Sequence, residues 1–179
     1  MPCTDQVESN NRGPGAMLRD QRVLEPIICG AAGGLVGTFA LQAAHMGSEK
    51  LFGDAEPPMR EEPGEFMVKT AEQALPEAAR SRIPETAEQV AAHGLGFAYG
   101  VTFGALYGLL DRRDSSVLVD GAALGLGCWA AGYLGWLPAA GLMPPVWEHK
   151  PKQVVAPIME HILYGIAAVA TFRLLREII

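Results

Sequence analysis

Cysteine is scarce in this sequence and nowhere paired. Cys3, Cys29 and Cys128 are its only three. They lie far apart and form no CxxC, which excludes a zinc finger and a disulfide framework. Cys29 and Cys128 fall inside apolar runs, where a free thiol packs as a small hydrophobe. Clustered positive charge is missing too. The formal net charge is -6, and no basic patch interleaved with aromatics occurs, so nucleic acid is not expected as a partner. No phosphate-binding glycine loop follows a strand. Ser48, Ser81, Ser115 and Ser116 lie in loops outside any Ser/His/Asp pattern. No catalytic residue is assigned, and no enzyme is expected. Residues 1–26 lack the basic start and early apolar core of a cleavable signal peptide. They read as a polar, mobile N-terminal tail.

Charge is also absent from three long apolar stretches and confined to Glu160 and Arg173 in a fourth. Hydrophobic residues make up 49% of the 179, yet mean hydropathy is only slightly positive, so apolar blocks alternate with polar segments. The blocks are "IICGAAGGLVGTFALQAAHMG" (27–47), "VAAHGLGFAYGVTFGALYGLL" (90–110), "GAALGLGCWAAGYLGWLPAA" (121–140) and "VVAPIMEHILYGIAAVATFRLL" (154–175). A bilayer core takes about 20 mostly apolar helical residues. Three blocks meet this, and the fourth does so with Glu160 near one surface. A soluble helix shows one polar face, and block two has none. The expectation is an all-α, four-span transmembrane helical bundle over 27–179, with membrane lipid as its surroundings. The polar loop 48–89 should carry a surface helix in "PGEFMVKTAEQAL", with Phe66, Met67, Thr70, Ala71 and Ala74 on one side. Pro57, Pro58, Pro63, Pro76 and Pro84 stop any longer helix there.

Glycine is abundant, and its spacing is informative. Gly96, Gly100, Gly104 and Gly108 recur at every fourth position of block two, and Gly30 and Gly34 do so in block one. Small residues at this spacing let helix backbones approach closely in lipid. In a water-exposed helix each glycine would cost about 1 kcal/mol relative to alanine. These six glycines are therefore assigned to helix packing, within the chain or against a second copy or another membrane protein.

Four spans place both termini on one side. Arg19, Arg22, Arg112, Arg113, Arg173 and Arg176 lie close to span ends there, against Lys50, Lys150 and Lys152 opposite. Basic residues near span ends mark the cytoplasmic side, so cytoplasmic termini are expected. All four histidines then gather on the other face: His45 ends span one, His93 opens span two, His149 follows span three and His161 opens span four. Glu49 lies one helical turn after His45, and Glu160 precedes His161. Histidine changes charge within the physiological range, and an intramembrane carboxylate is costly enough to point to function. His45, Glu49, His93, Glu160 and His161 are thus the candidate pH-responsive cluster. Interfacial anchoring of the same side chains is the simpler alternative. His45, Glu49, His93 and His161 are also the candidate metal ligands. No cofactor is required by the pattern, with a metal or haem as the alternative. The leading expectation is a non-catalytic membrane protein with this cluster on its non-cytoplasmic face. A small transporter or channel subunit, or a metal- or haem-binding subunit, is the runner-up.

The order of "GSEKLFGDAEPPMR", "AHGLGFAYGVTFGALYG", "AAGLMPPVWEH" and "PIMEHILYGIAAVATFRLLRE" resembles the YagU-like inner-membrane family of bacteria. That family comprises small multi-span proteins of unknown biochemical activity. The resemblance implies a bacterial inner-membrane location and brings no catalytic residues with it.

Overall fold

The computed structural model describes residues 14–52, 56–110 and 115–178, without the side chains of 14–22, 49, 51 and 52. The described residues form helices and no strand. The helices are α1 (Pro14–Phe52), α2 (Pro63–Gln73), α3 (Glu77–Arg80), α4 (Glu85–Leu110), α5 (Val117–Ala130), α6 (Leu137–Ala139) and α7 (Pro151–Ile178). A π-helical stretch, Ala131–Trp136, joins α5 to α6.

Three helical stretches are long and apolar enough to cross a membrane: Val23–Ser48, Val117–Ala139 and Pro151–Ile178. The expected second span, 90–110, lies in the 26-residue α4 but is not among them. Its length suffices, at about 39 Å for 1.5 Å per residue. Its composition dilutes the hydropathy, because Gly94, Gly96, Gly100, Gly104, Gly108, Tyr99 and Tyr107 contribute little.

The first helix also differs from expectation. It starts at Pro14 rather than near residue 27, so much of the expected tail is helical. Proline is preorganised for a helix start. The interior Pro26 is carried at the loss of one backbone hydrogen bond. Residues 1–13 lie outside the described residues.

The glycines set the packing register. A Cβ on Gly30 would collide with the Gly104 carbonyl, one on Gly34 with the Gly100 carbonyl, and one on Gly108 with the Pro26 carbonyl. Rising numbers on α1 meet falling numbers on α4, so the two run antiparallel with backbones in contact. The same logic pairs α1 with α7 through Gly33 against Ala168 and Gly37 against Tyr164. It pairs α5 with α7 through Gly121 and Gly165, and Gly125 against His161. The bundle is therefore up-down-up-down, ordered α4–α1–α7–α5, while α4 and α5 touch little.

The C-terminal end of α7 is tied to α1 by Arg176 and Glu25 at 2.8 Å. At that end Asp120 accepts from the Tyr107 hydroxyl at 3.0 Å, from Arg173 at 2.5 Å and from the Ser115 hydroxyl. The outer surface carries exposed Ile28, Phe39, Leu106, Leu118, Leu134 and Leu163.

α2 lies over the opposite end, as an amphipathic helix in the loop. Its Gly64 sits against Ala92 of α4, and Val68 is buried. Phe66 packs on Leu137, Leu142 and Met143. Met67 and Thr70, expected on the same side as Phe66, are exposed.

Candidate functional site

The loop end of the bundle holds the candidate site, and α1, the 56–62 link and α7 build it. The link is fixed in place by the Arg60 amide donating to Leu142 O at 2.8 Å and by Gln153 Nε2 donating to Glu56 O at 2.9 Å. Glu160 is buried on α7, with 8% of its surface exposed. One of its oxygens lies 2.5 Å from the Ser48 hydroxyl. The other lies 3.4 Å from His45 Nδ1, and His45 Nε2 lies 3.5 Å from Glu56.

Ser48 Oγ is also 2.9 Å from the His45 carbonyl. A hydroxyl has one proton to donate, and the carbonyl only accepts. The Ser48 hydroxyl therefore divides its one proton between the Glu160 carboxylate and the His45 carbonyl, and His45 Nδ1 faces the other carboxylate oxygen.

His161 stands beside this group. Its Nδ1 donates to the Pro157 carbonyl at 2.8 Å, leaving Nε2 as the acceptor nitrogen of the neutral ring. Its ring meets Tyr133 edge-on at 5.7 Å.

Of the five residues assigned from sequence, the structure brings together His45, Glu160 and His161. It does not bring His93, which is exposed on α4 and bonds its own helix at Gln89 O, 2.8 Å away. The side chain of Glu49 lies outside the described residues. His149 bonds the Pro144 carbonyl at 3.0 Å. Ser48 and Glu56 were missed. Ser48 was legible as a hydroxyl one turn after His45, whereas Glu56 reaches the site through loop folding that no spacing encodes. Among the described residues, no group of three or more His, Cys, Asp or Glu side chains is placed to hold a metal ion.

Two adjoining cavities surround the cluster. The polar one, about 330 Å³, is lined by His45, Ser48, Glu56, Glu62, Glu160 and others. The apolar one, about 470 Å³, opens between α4 and α5 and runs down to Tyr164. Leu41, Gln42, Met59, Tyr133 and His161 line both. The π stretch shapes this wall. Pro138 has no N–H to give the Leu134 carbonyl and would crowd it in a regular helix. The widened turn relieves that conflict and sets Gly132, Tyr133 and Trp136 on the cavity.

The helix-packing glycines divide here. Gly30, Gly34, Gly100, Gly104 and Gly108 lie in helix contacts within the chain, but nothing lies within 4 Å of a Cβ built on Gly96. Gly96 lines the apolar cavity instead, because the two helices have diverged by that level.

No protein-family model, curated protein or solved structure matches this chain.

Proposed function

We propose that this is a four-span, non-catalytic integral membrane protein of the bacterial inner membrane, with cytoplasmic termini and a proton-responsive joint at its outer face. The three apolar helices support the membrane reading. Support for α4 as the fourth span comes from its backbone contact with α1 and its exposed Leu106, Leu109 and Leu110. The family resemblance of the four quoted segments supports the bacterial location.

The observation that carries the joint is the buried Glu160 held between Ser48 at 2.5 Å and His45 at 3.4 Å. Protonating His45 sets a cation against Glu160 of α7 and Glu56 of the link, drawing three elements together. Glu62, His161 and Tyr133 are the other titratable groups lining the same chamber.

The test is limited proteolysis of the 48–89 loop in full-length protein in nanodiscs. Resistance should rise as pH falls from about 7 to 5, the range of histidine protonation. The His45→Gln variant should give a flat profile. An unchanged pH profile in that variant would remove the joint from the account.

A further inference from the structure

We infer that the paired cavities form a binding site for an amphipathic amine, its cationic head in the polar chamber and its apolar body between α4 and α5. The inference builds on the same Glu160-centred cluster as the proposed joint and adds a ligand class to it.

Charge decides the head group. Glu56, Glu62 and Glu160 line the polar chamber, and among the described residues His45 and His161 are its only basic side chains, with no Lys or Arg. Hydrogen-bond inventory points the same way. The Thr38, Tyr99, Thr102 and Tyr164 hydroxyls donate to the Gly34, Cys128, Ala98 and Gly100 carbonyls at 2.9, 3.2, 2.7 and 2.6 Å. His161 Nδ1 is likewise spent on Pro157. These donors are committed to backbone, and the carboxylates and the His161 Nε2 of the lining are acceptors by their chemistry. A guest that donates and carries positive charge suits such a lining, because charge-assisted hydrogen bonds to carboxylates are the strong ones.

Shape decides the body. The apolar chamber presents Met59, Tyr99, Trp136, Leu137 and Tyr164 and falls in the size range of small-molecule pockets. Two of its lining residues, Ala98 and Thr102 of α4, are exposed on the helix surface, which gives a molecule dissolved in lipid a side from which to enter. Aromatic walls beside carboxylates also favour a cation electrostatically.

The experiment is titration calorimetry on full-length protein in phosphatidylcholine nanodiscs at constant neutral pH. The probes are 4-phenylbutylamine, 4-phenylbutanol and 4-phenylbutyrate, which share one body. The amine should bind at least about tenfold more tightly than the other two. Glu160→Gln should bring the amine to the level of the alcohol while leaving alcohol binding intact, which also reports a folded variant. Gly96→Leu should fill the chamber and abolish binding of all three. Equal binding of the three probes would overturn the inference, as would unchanged amine binding in Gly96→Leu. Adding phosphatidylethanolamine to the discs identifies the natural source. Weakened amine binding assigns the site to an amine-headed lipid, and an unchanged value assigns it to a soluble amine. Proteolysis across pH is not read here, so a failed titration leaves the His45 joint standing, and a failed pH profile leaves amine selectivity standing.

Discussion

Alanine at Gly104 and alanine at Gly96 should move stability in opposite directions, although both glycines belong to one four-residue repeat on one helix. Each substitution gains about 0.5–1 kcal/mol by restricting the unfolded backbone and suiting the helix. At Gly96 nothing lies within 4 Å of the new methyl, so the gain stands alone. At Gly104 the methyl meets Gly34 Cα and N at 2.6 Å. Ordinary contact begins at 3.4 Å, and the atoms met are backbone, which no rotamer can move. The helices must part by about 1 Å, enough to forfeit a quarter to a half of the dispersion attraction across the seam. Overpacking of this kind costs about 1–3 kcal/mol. Because the propensity gain is common to both variants, their difference isolates packing at about 1–3 kcal/mol, roughly 5- to 150-fold in the unfolding equilibrium. The assay is reversible unfolding in mixed micelles, followed by helical circular dichroism. Equal shifts of the same sign would refute the assignment of Gly104 to the seam and Gly96 to open space.

Three further outcomes follow from named contacts. Tyr164→Phe removes the hydroxyl that reaches Gly100 O at 2.6 Å; it should cost about 0.5–1.5 kcal/mol in the same unfolding assay. Asp120→Asn and Arg173→Gln should be non-additive, because the side chains meet at 2.5 Å; a double-mutant cycle should give about 0.5–3 kcal/mol of coupling, and additivity would dissolve the pair. Lys69 of α2 is raised above its ordinary value of 10.5, chiefly by its hydrogen bond with Glu61. A raised ammonium contributes stability that is complete below the unfolded value and lost as pH rises through the folded one. Lys69→Met should therefore leave the profile between about pH 5 and 7 unchanged and alter it only in the alkaline range.

Legibility in the sequence followed the length scale of the interaction. The apolar blocks announced α1, α5 and α7, since hydropathy is a property of a single segment. The repeat at Gly100, Gly104 and Gly108 announced close packing, since a fixed spacing fixes one helix face. What that face meets was not encoded locally: only the fold shows that Gly104 opposes Gly30 and Gly34, and that Gly96 opposes nothing. The histidines show the same divide. His45 and Glu160 were singled out by their level, and they do meet at 3.4 Å. His93 shares the level but leaves the cluster, because its position on α4 points it away from α1 and α7. Level constrains one coordinate, and rotation about the helix axis supplies the other.

The cavity arises from the same glycine line. From Pro26 to Gly34, α1 lies backbone to backbone on α4, against Gly108, Gly104 and Gly100. Above Gly100 the partner residues on α1 become Thr38, Leu41 and Gln42, whose side chains hold the helices apart. Phe97 of α4 meets Phe39 of α1 there only by its side chain, with ring centroids 5.0 Å apart, and at Ala92 the α4 backbone lies against Gly64 of α2. Between these two closures a Cβ built on Gly96 meets nothing within 4 Å, and the π stretch after α5 sets the small Gly132 on the same cavity. Filling the gap at Gly96 should therefore stabilise the fold and remove the cavity together. That pairing is expected of a site kept open for a guest and not of a packing seam. If Gly96→Leu instead destabilised the protein, the gap would be narrower than the geometry gives, and the cavity reading would fall with it.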